Sequence, residues 1–150
     1  MARPIIFLDI DGVLCTQRSC VAQRGLMQTL DPVGIKMLEL LIQDFKAQIV
    51  LSSTWRLHHD QVSMTAILQN AGMKEVPWHQ NWKTDNLYVK PRGEEIKKWL
   101  VEQGGPNPKY LILDDQSDFL EEQKPYYVET SFDVGITYHN YQQARKILNG

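Results

Sequence analysis

Apolar residues in this chain fall into two kinds of run: short continuous ones, and longer ones spaced by three and four. Ile5-Ile6-Phe7-Leu8 is short and continuous, so Pro4 to Leu8 reads as a strand buried on both faces. Gln48 to Leu51 and Tyr110 to Leu113 have the same form, and Tyr126 to Val128 is a shorter fourth strand. Between these runs the period changes. Asp31-Pro32 supplies an N-cap and a first-turn proline, after which Val33, Met37, Leu40, Leu41 and Phe45 recur at helical spacing. Residues 60 to 71 carry Val62, Ala66 and Ile67 ahead of the stop signal Gly72. Gly93 to Gln103 puts Ile96, Trp99 and Leu100 on one helical face, and Asn140 to Leu148 is a last helix. Residues 15 to 30 are polar and irregular, and 73 to 90 show no clean period despite Trp78, Trp82 and Tyr88. Strands alternating with helices predict an α/β fold, a doubly wound (Rossmann-like) parallel sheet with helices on both faces. No repeat or linker composition interrupts the pattern, so residues 1–150 are read as a single domain.

Composition narrows the class without naming a function. A 43% hydrophobic content and 23% charged residues suit a globular protein and argue against disorder. The net charge of −2 gives no field that would hold nucleic acid or an anionic membrane non-specifically. A nucleic-acid end remains open as a substrate, provided local Lys and Arg supply the phosphate contacts. Cys15 and Cys20 are the two cysteines and lack zinc-type spacing; they could pair across a short loop, but the expectation is that both are reduced. The amino terminus enters its first strand by about residue 4, which leaves no room for a signal peptide of roughly 15 residues. No apolar run approaches the ~18 residues of a membrane span. The expectation is a cytoplasmic protein with no membrane association and no obligate protein partner.

The strongest chemical signal lies where the apolar runs stop. The first strand ends in Asp9-Ile10-Asp11-Gly12, and Tyr110 to Leu113 ends in Asp114-Asp115. Open α/β sheets bind their ligands at the carboxyl ends of strands. Unpaired acids are costly in such a place, so two strand-terminal carboxylate pairs point to a divalent metal site. Ser52-Ser53-Thr54 follows the second strand, and Lys90, with Arg92 close by, precedes the third helix.

The order Asp9/Asp11, Ser52/Ser53, Lys90 or Arg92, Asp114/Asp115 resembles that of the haloacid dehalogenase (HAD) superfamily of aspartate-nucleophile phosphatases. "FLDIDGVL", "IVLSST", the basic residue before a helix and "LILDD" match its four motifs in turn. "LSSTWR", "RGEEI" and "LILDD" together also resemble the small HAD domains associated with RNA-repair proteins, over residues 5 to 118. The resemblance implies a Mg²⁺-dependent phosphohydrolase with Asp9 as nucleophile and an aspartyl-phosphate intermediate. Asp11 would protonate the leaving alcohol and later take a proton from water. Mg²⁺ would lie between Asp9, the backbone carbonyl of Asp11 and an Asp of the 114/115 pair, in an all-oxygen shell. Ser53 or its neighbour Ser52 would contact the phosphate, and Lys90 or its rival Arg92 would stabilise the phosphoryl oxygens. Gly12 permits close backbone approach, and Thr54 and Arg56 complete the expected substrate contacts.

Plainer roles stand beside these. Asp118 reads as a capping or solvated residue, Arg56 could equally form a salt bridge, and His58-His59 lack a third ligand at metal spacing. Trp78, Trp82 and Tyr88 could stack on a base, although packing is expected for at least two of them. Family members often carry an inserted cap domain. Here the gaps after the first and second motifs hold little beyond ordinary α/β connections, so a minimal cap or none is expected. An open site favours a phosphorylated nucleotide or nucleic-acid end over a small sugar phosphate. Two further readings share these residues: a phosphatase-like module that binds a phosphorylated partner, and a small-metabolite phosphatase or phosphotransferase.

Overall fold

Strand β1 (Ile5–Leu8) has no solvent-facing side: Ile5 is 5% exposed, and Ile6, Phe7 and Leu8 are fully buried. A strand apolar on both faces must lie mid-sheet with layers above and below it. In the computed structural model, which describes residues 2–17, 19, 30–88 and 90–150, it does so. The sheet is parallel throughout and has the order β3-β2-β1-β4-β5, with β2 (Gln48–Leu51), β3 (Trp78–Lys83), β4 (Tyr110–Asp114) and β5 (Tyr127–Glu129). Leu8 pairs with Leu51 on one side and Leu113 on the other, so three apolar runs end level with one another.

Each face has its own core. Ile6, Leu8, Ile49, Leu51, Leu111 and Leu113 pack against α1 (Pro32–Phe45), α2 (Gln61–Asn70) and α4 (Tyr138–Asn149). Phe7, Val50 and Ile112 face α3 (Arg92–Gln103) through Ile96 and Trp99. The expected doubly wound α/β fold is therefore present, and no large cap is seen among the described residues. Much of the irregular stretch predicted over 15–30 lies outside those residues. Among them, no helix is long and apolar enough to cross a membrane.

Helix α1 starts where the sequence predicts, α3 and α4 begin one and two residues ahead of their predicted bounds, and the buried stripes of α1 and α2 are rotated. In α1 the Asp31 carboxylate accepts from the Val33 N–H at 2.9 Å, which fixes the first turn. Ile35, Leu38, Leu41 and Ile42 then face the sheet, while Val33 is 54% exposed. In α2 the buried pair is Met64 and Leu68, and Val62 is 79% exposed. Both helices carry more apolar residues than one face holds, so spacing alone admits two stripes. Strand β3 is absent from the pattern for a different reason. It is a half-exposed edge strand whose register slips between Ile49 and Leu51, and the irregularity breaks the alternation that marks a strand. Cys15 is buried and disulfide-bonded, which corrects the reduced state expected of it; Cys20 lies outside the described residues.

Candidate active site

The chain builds β1, β2 and β3 outward to one side, then places β4 and β5 on the other side of β1. The carboxyl ends of β1 and β4 thus flank the switch point where doubly wound sheets hold ligands. Asp9 follows β1 with its N–H bonded to the Leu113 carbonyl at 3.0 Å, and Asp114 ends β4. Asp9 is 3% exposed and Asp114 fully buried. With half-buried Asp115 they bring one carboxylate oxygen each within 4.8 Å of one another. Arg92, at the start of α3, sets its Nη1 2.5 Å from Asp114 Oδ2 and 3.4 Å from Asp9 Oδ1. Asp118 holds that helix end from outside, its Oδ2 accepting from Arg92 N–H at 3.0 Å and its carbonyl from Gly93 N–H at 3.1 Å.

Three acids around one guanidinium leave a surplus of negative charge away from water. Burial, and then the charge on Asp114, push the Asp9 carboxyl up to about 8, with Arg92 pulling the other way. Burial and Asp114 raise Asp115 as well. Burial works against the charge on Arg92, but Asp114 and Asp9 outweigh it and hold the guanidinium firmly ionised. Hard oxygen donors this close, with too few cations to balance them, fit a small divalent ion such as Mg²⁺. Gly12 is part of the fit. Its φ is +81°, and a Cβ there would lie 2.2 Å from the Asp115 carboxylate. Its carbonyl accepts from Thr130 Oγ1 at 2.6 Å, tying the first loop to the end of β5.

At the end of β2 the two serines differ. Ser53 Oγ caps the following 3-10 turn (Thr54–Leu57) by accepting from Trp55 N–H at 3.2 Å. Ser52 Oγ is buried without a protein partner. Phe7, Val50 and Ile112 all point to the α3 side, so alternation turns Asp9, Ser52 and Asp114 to that side too. Thr54 is exposed at the start of the turn. Arg56, expected at the substrate, points inward and is 4% exposed. Its guanidinium donates to the carbonyls of Ser52, Ser53, Thr84 and Asp85 and pairs with Glu95 Oε2 at 3.1 Å. Every donor is engaged, so Arg56 fixes the second-motif loop and has none left for a ligand.

Lys90 is exposed, outside the carboxylate cluster that Arg92 joins. Asp11 is also exposed, and its Oδ1 accepts from Trp55 Nε1 at 3.1 Å. The Trp55 ring stacks on His59 at 5.6 Å, whose Nδ1 lies 2.9 Å from Ser63 Oγ, and His58 is exposed. Trp78 bonds Thr65 Oγ1 at 2.7 Å and packs edge-on against Trp82, whereas Tyr88 is 86% exposed. Trp55 and Glu95 hold the site together but were not singled out from the sequence. Glu95 had a signal: an acid at i and Trp99 at i+4 share a helical face, so the acid needs a buried partner.

A family described as "HAD domain in Swiss Army Knife RNA repair proteins" matches residues 5–141. No curated protein and no solved structure matches the chain.

Proposed function

The chain belongs to this HAD domain family, and from that premise we propose that it is a Mg²⁺-dependent phosphohydrolase acting on a terminal phosphate. The observation that carries the proposal is the constellation of Asp9, Asp114 and Asp115 around Arg92 at the switch point. Asp9, Asp114, Asp115 and the backbone carbonyl of Asp11 are the oxygens suited to the ion. Bound there, Mg²⁺ supplies the positive charge that lets a carboxylate approach a phosphoryl group.

In the first step an Asp9 oxygen attacks phosphorus as the bond to the leaving oxygen breaks, giving an aspartyl-phosphate. Asp11 gives its proton to that oxygen, then takes one from the water that attacks phosphorus and releases Asp9. We assign the third-motif charge to Arg92, because it already contacts Asp9, and leave exposed Lys90 to phosphates further along a substrate. We assign the second-motif hydroxyl to Ser52. It lies on the nucleophile's side and its Oγ is unpartnered, while Ser53 is spent on a cap.

Access to the site supports a substrate class. Among the described residues, the segment between the second and third motifs forms one turn, one helix and an edge strand, with no folded cap. That openness, and the RNA-repair context of the family, support a nucleotide or nucleic-acid end. Exposed Tyr88 is the aromatic left free to meet a base, since Trp78 and Trp82 pack inward. Phosphate release from nucleoside 3′- and 5′-monophosphates, 3′- and 5′-phosphorylated oligonucleotides, sugar phosphates and an aryl phosphate tests this, with wild type and Asp9→Asn run in Mg²⁺ and in chelator. Metal-dependent release that Asp9→Asn abolishes is the expected result. Release by Asp9→Asn at the wild-type rate would overturn the mechanism.

A further inference from the structure

Asp11 is exposed between buried Ile10 and buried Gly12, and an exposed aspartate side chain ordinarily turns freely. Here it does not. Trp55 Nε1 donates to its Oδ1 at 3.1 Å, across the gap between the first and second motifs. The indole is fixed in turn. Trp55 N–H bonds Ser53 Oγ, its carbonyl accepts from the N–H groups of His58 and His59, and its ring stacks on His59, which Ser63 holds. The next residue, Arg56, anchors the same turn to Glu95 and four carbonyls. A side chain supported this way is a rigid reference point for the group it touches.

An indole N–H donates and never accepts. The Asp11 oxygen it touches is therefore the acceptor, and because a carbonyl-type oxygen accepts better than a hydroxyl one, the contact favours the proton on Oδ2. We propose that Trp55 is a positioning residue that orients Asp11 so that Oδ2, and not Oδ1, delivers the proton to the leaving group. The inference rests on the reading of Asp9 as nucleophile and Asp11 as general acid. In the step concerned, the bond from Asp9 to phosphorus forms, the bond from phosphorus to the leaving oxygen breaks, and that oxygen takes the Oδ2 proton as it departs. Oδ1 stays bonded to Trp55 throughout.

A residue that acts only through the general acid has a distinctive signature. Departure of an alkoxide needs the proton, whereas departure of p-nitrophenolate does not. Trp55→Phe should therefore lower kcat/KM for a nucleoside monophosphate about tenfold or more, within the 10²–10⁴ that a positioned acid contributes. For p-nitrophenyl phosphate kcat/KM should stay within about twofold of wild type, since that ratio reports steps only through phosphoryl transfer. In an Asp11→Ala background, Trp55→Phe should have no further effect on either substrate. Replacing Trp55 with benzothienylalanine, which puts sulfur in place of the N–H and keeps the ring shape, should reproduce the selective loss even if the Phe variant packs poorly. Equal losses on both substrates in the benzothienylalanine variant, or a loss that persists without Asp11, would overturn the proposal. An Asp9→Asn variant that still turns over would instead bring down the underlying mechanism, so the two failures are distinguishable.

Discussion

Replacing Asp9 with Asn should make the metal-free protein more stable at pH 8 even as it ends turnover. Asp9 is 3% exposed, and burial with the neighbouring Asp114 charge moves its carboxyl from 3.8 to about 8. Because the folded state holds this proton more tightly than the unfolded chain, the stability it contributes is full below about pH 4. It is lost as pH rises through 8. At 1.36 kcal/mol per tenfold change in proton affinity, ionising Asp9 in the folded protein costs on the order of 5 kcal/mol. That is a large share of the roughly 5–15 kcal/mol by which domains are stable. Asn has the same shape without the charge, and Arg92 keeps Asp114 as its partner. At about 2–4 °C per kcal/mol for a chain of this size, Asp9→Asn should melt roughly 10–20 °C above wild type at pH 8 in chelator. The gap should close steadily toward pH 4. Thermal unfolding of both proteins across pH 4–9 with EDTA measures it. Parallel curves for the two proteins over the whole range would refute the claim that Asp9 is held against its ionisation.

Two further outcomes follow from the same geometry. Glu95→Gln removes the charge that balances buried Arg56 and should cost about 3 kcal/mol in urea unfolding, the usual scale for breaking a buried pair, with a matching fall in activity as the second-motif loop loosens. Asp114→Asn and Asp115→Asn should each raise the Mg²⁺ concentration needed for half-maximal phosphate release, and isothermal titration of Mg²⁺ in the absence of substrate should weaken in parallel.

The parts of this protein that were legible in its sequence are those set by a local rule. Ile5 to Leu8 and Tyr110 to Leu113 are continuous and apolar, so they announced a sheet interior, and the acids that end them announced the ligand side. Asp31-Pro32 fixed the start of α1. What escaped depends on pairing between distant segments. Whether Val33 or Ile35 meets the sheet is decided by how α1 docks, and both fit the spacing. Strand β3 exists because β2 offers it an edge, not because Trp78 to Lys83 alternates. At the site, neighbours in sequence parted company. Ser53 went to a cap and Ser52 did not, and Arg92 reached the acids while Lys90 stayed in solvent. For Arg56 the sequence leaves a phosphate contact and a salt bridge equally open, and its partner Glu95, 39 residues away, decides for a salt bridge that is buried.

The central claim, that Asp9 is the nucleophile, is tested most directly by trapping the phosphorylated enzyme. Wild-type protein turning over the best substrate of the panel in Mg²⁺ would be acid-quenched, reduced with borohydride and digested for mass spectrometry. The account predicts homoserine at position 9 and aspartate at positions 11, 114 and 115, because only an aspartyl-phosphate is reduced in this way. Turnover with Asp9 unmodified, or homoserine at another of these positions, would contradict it.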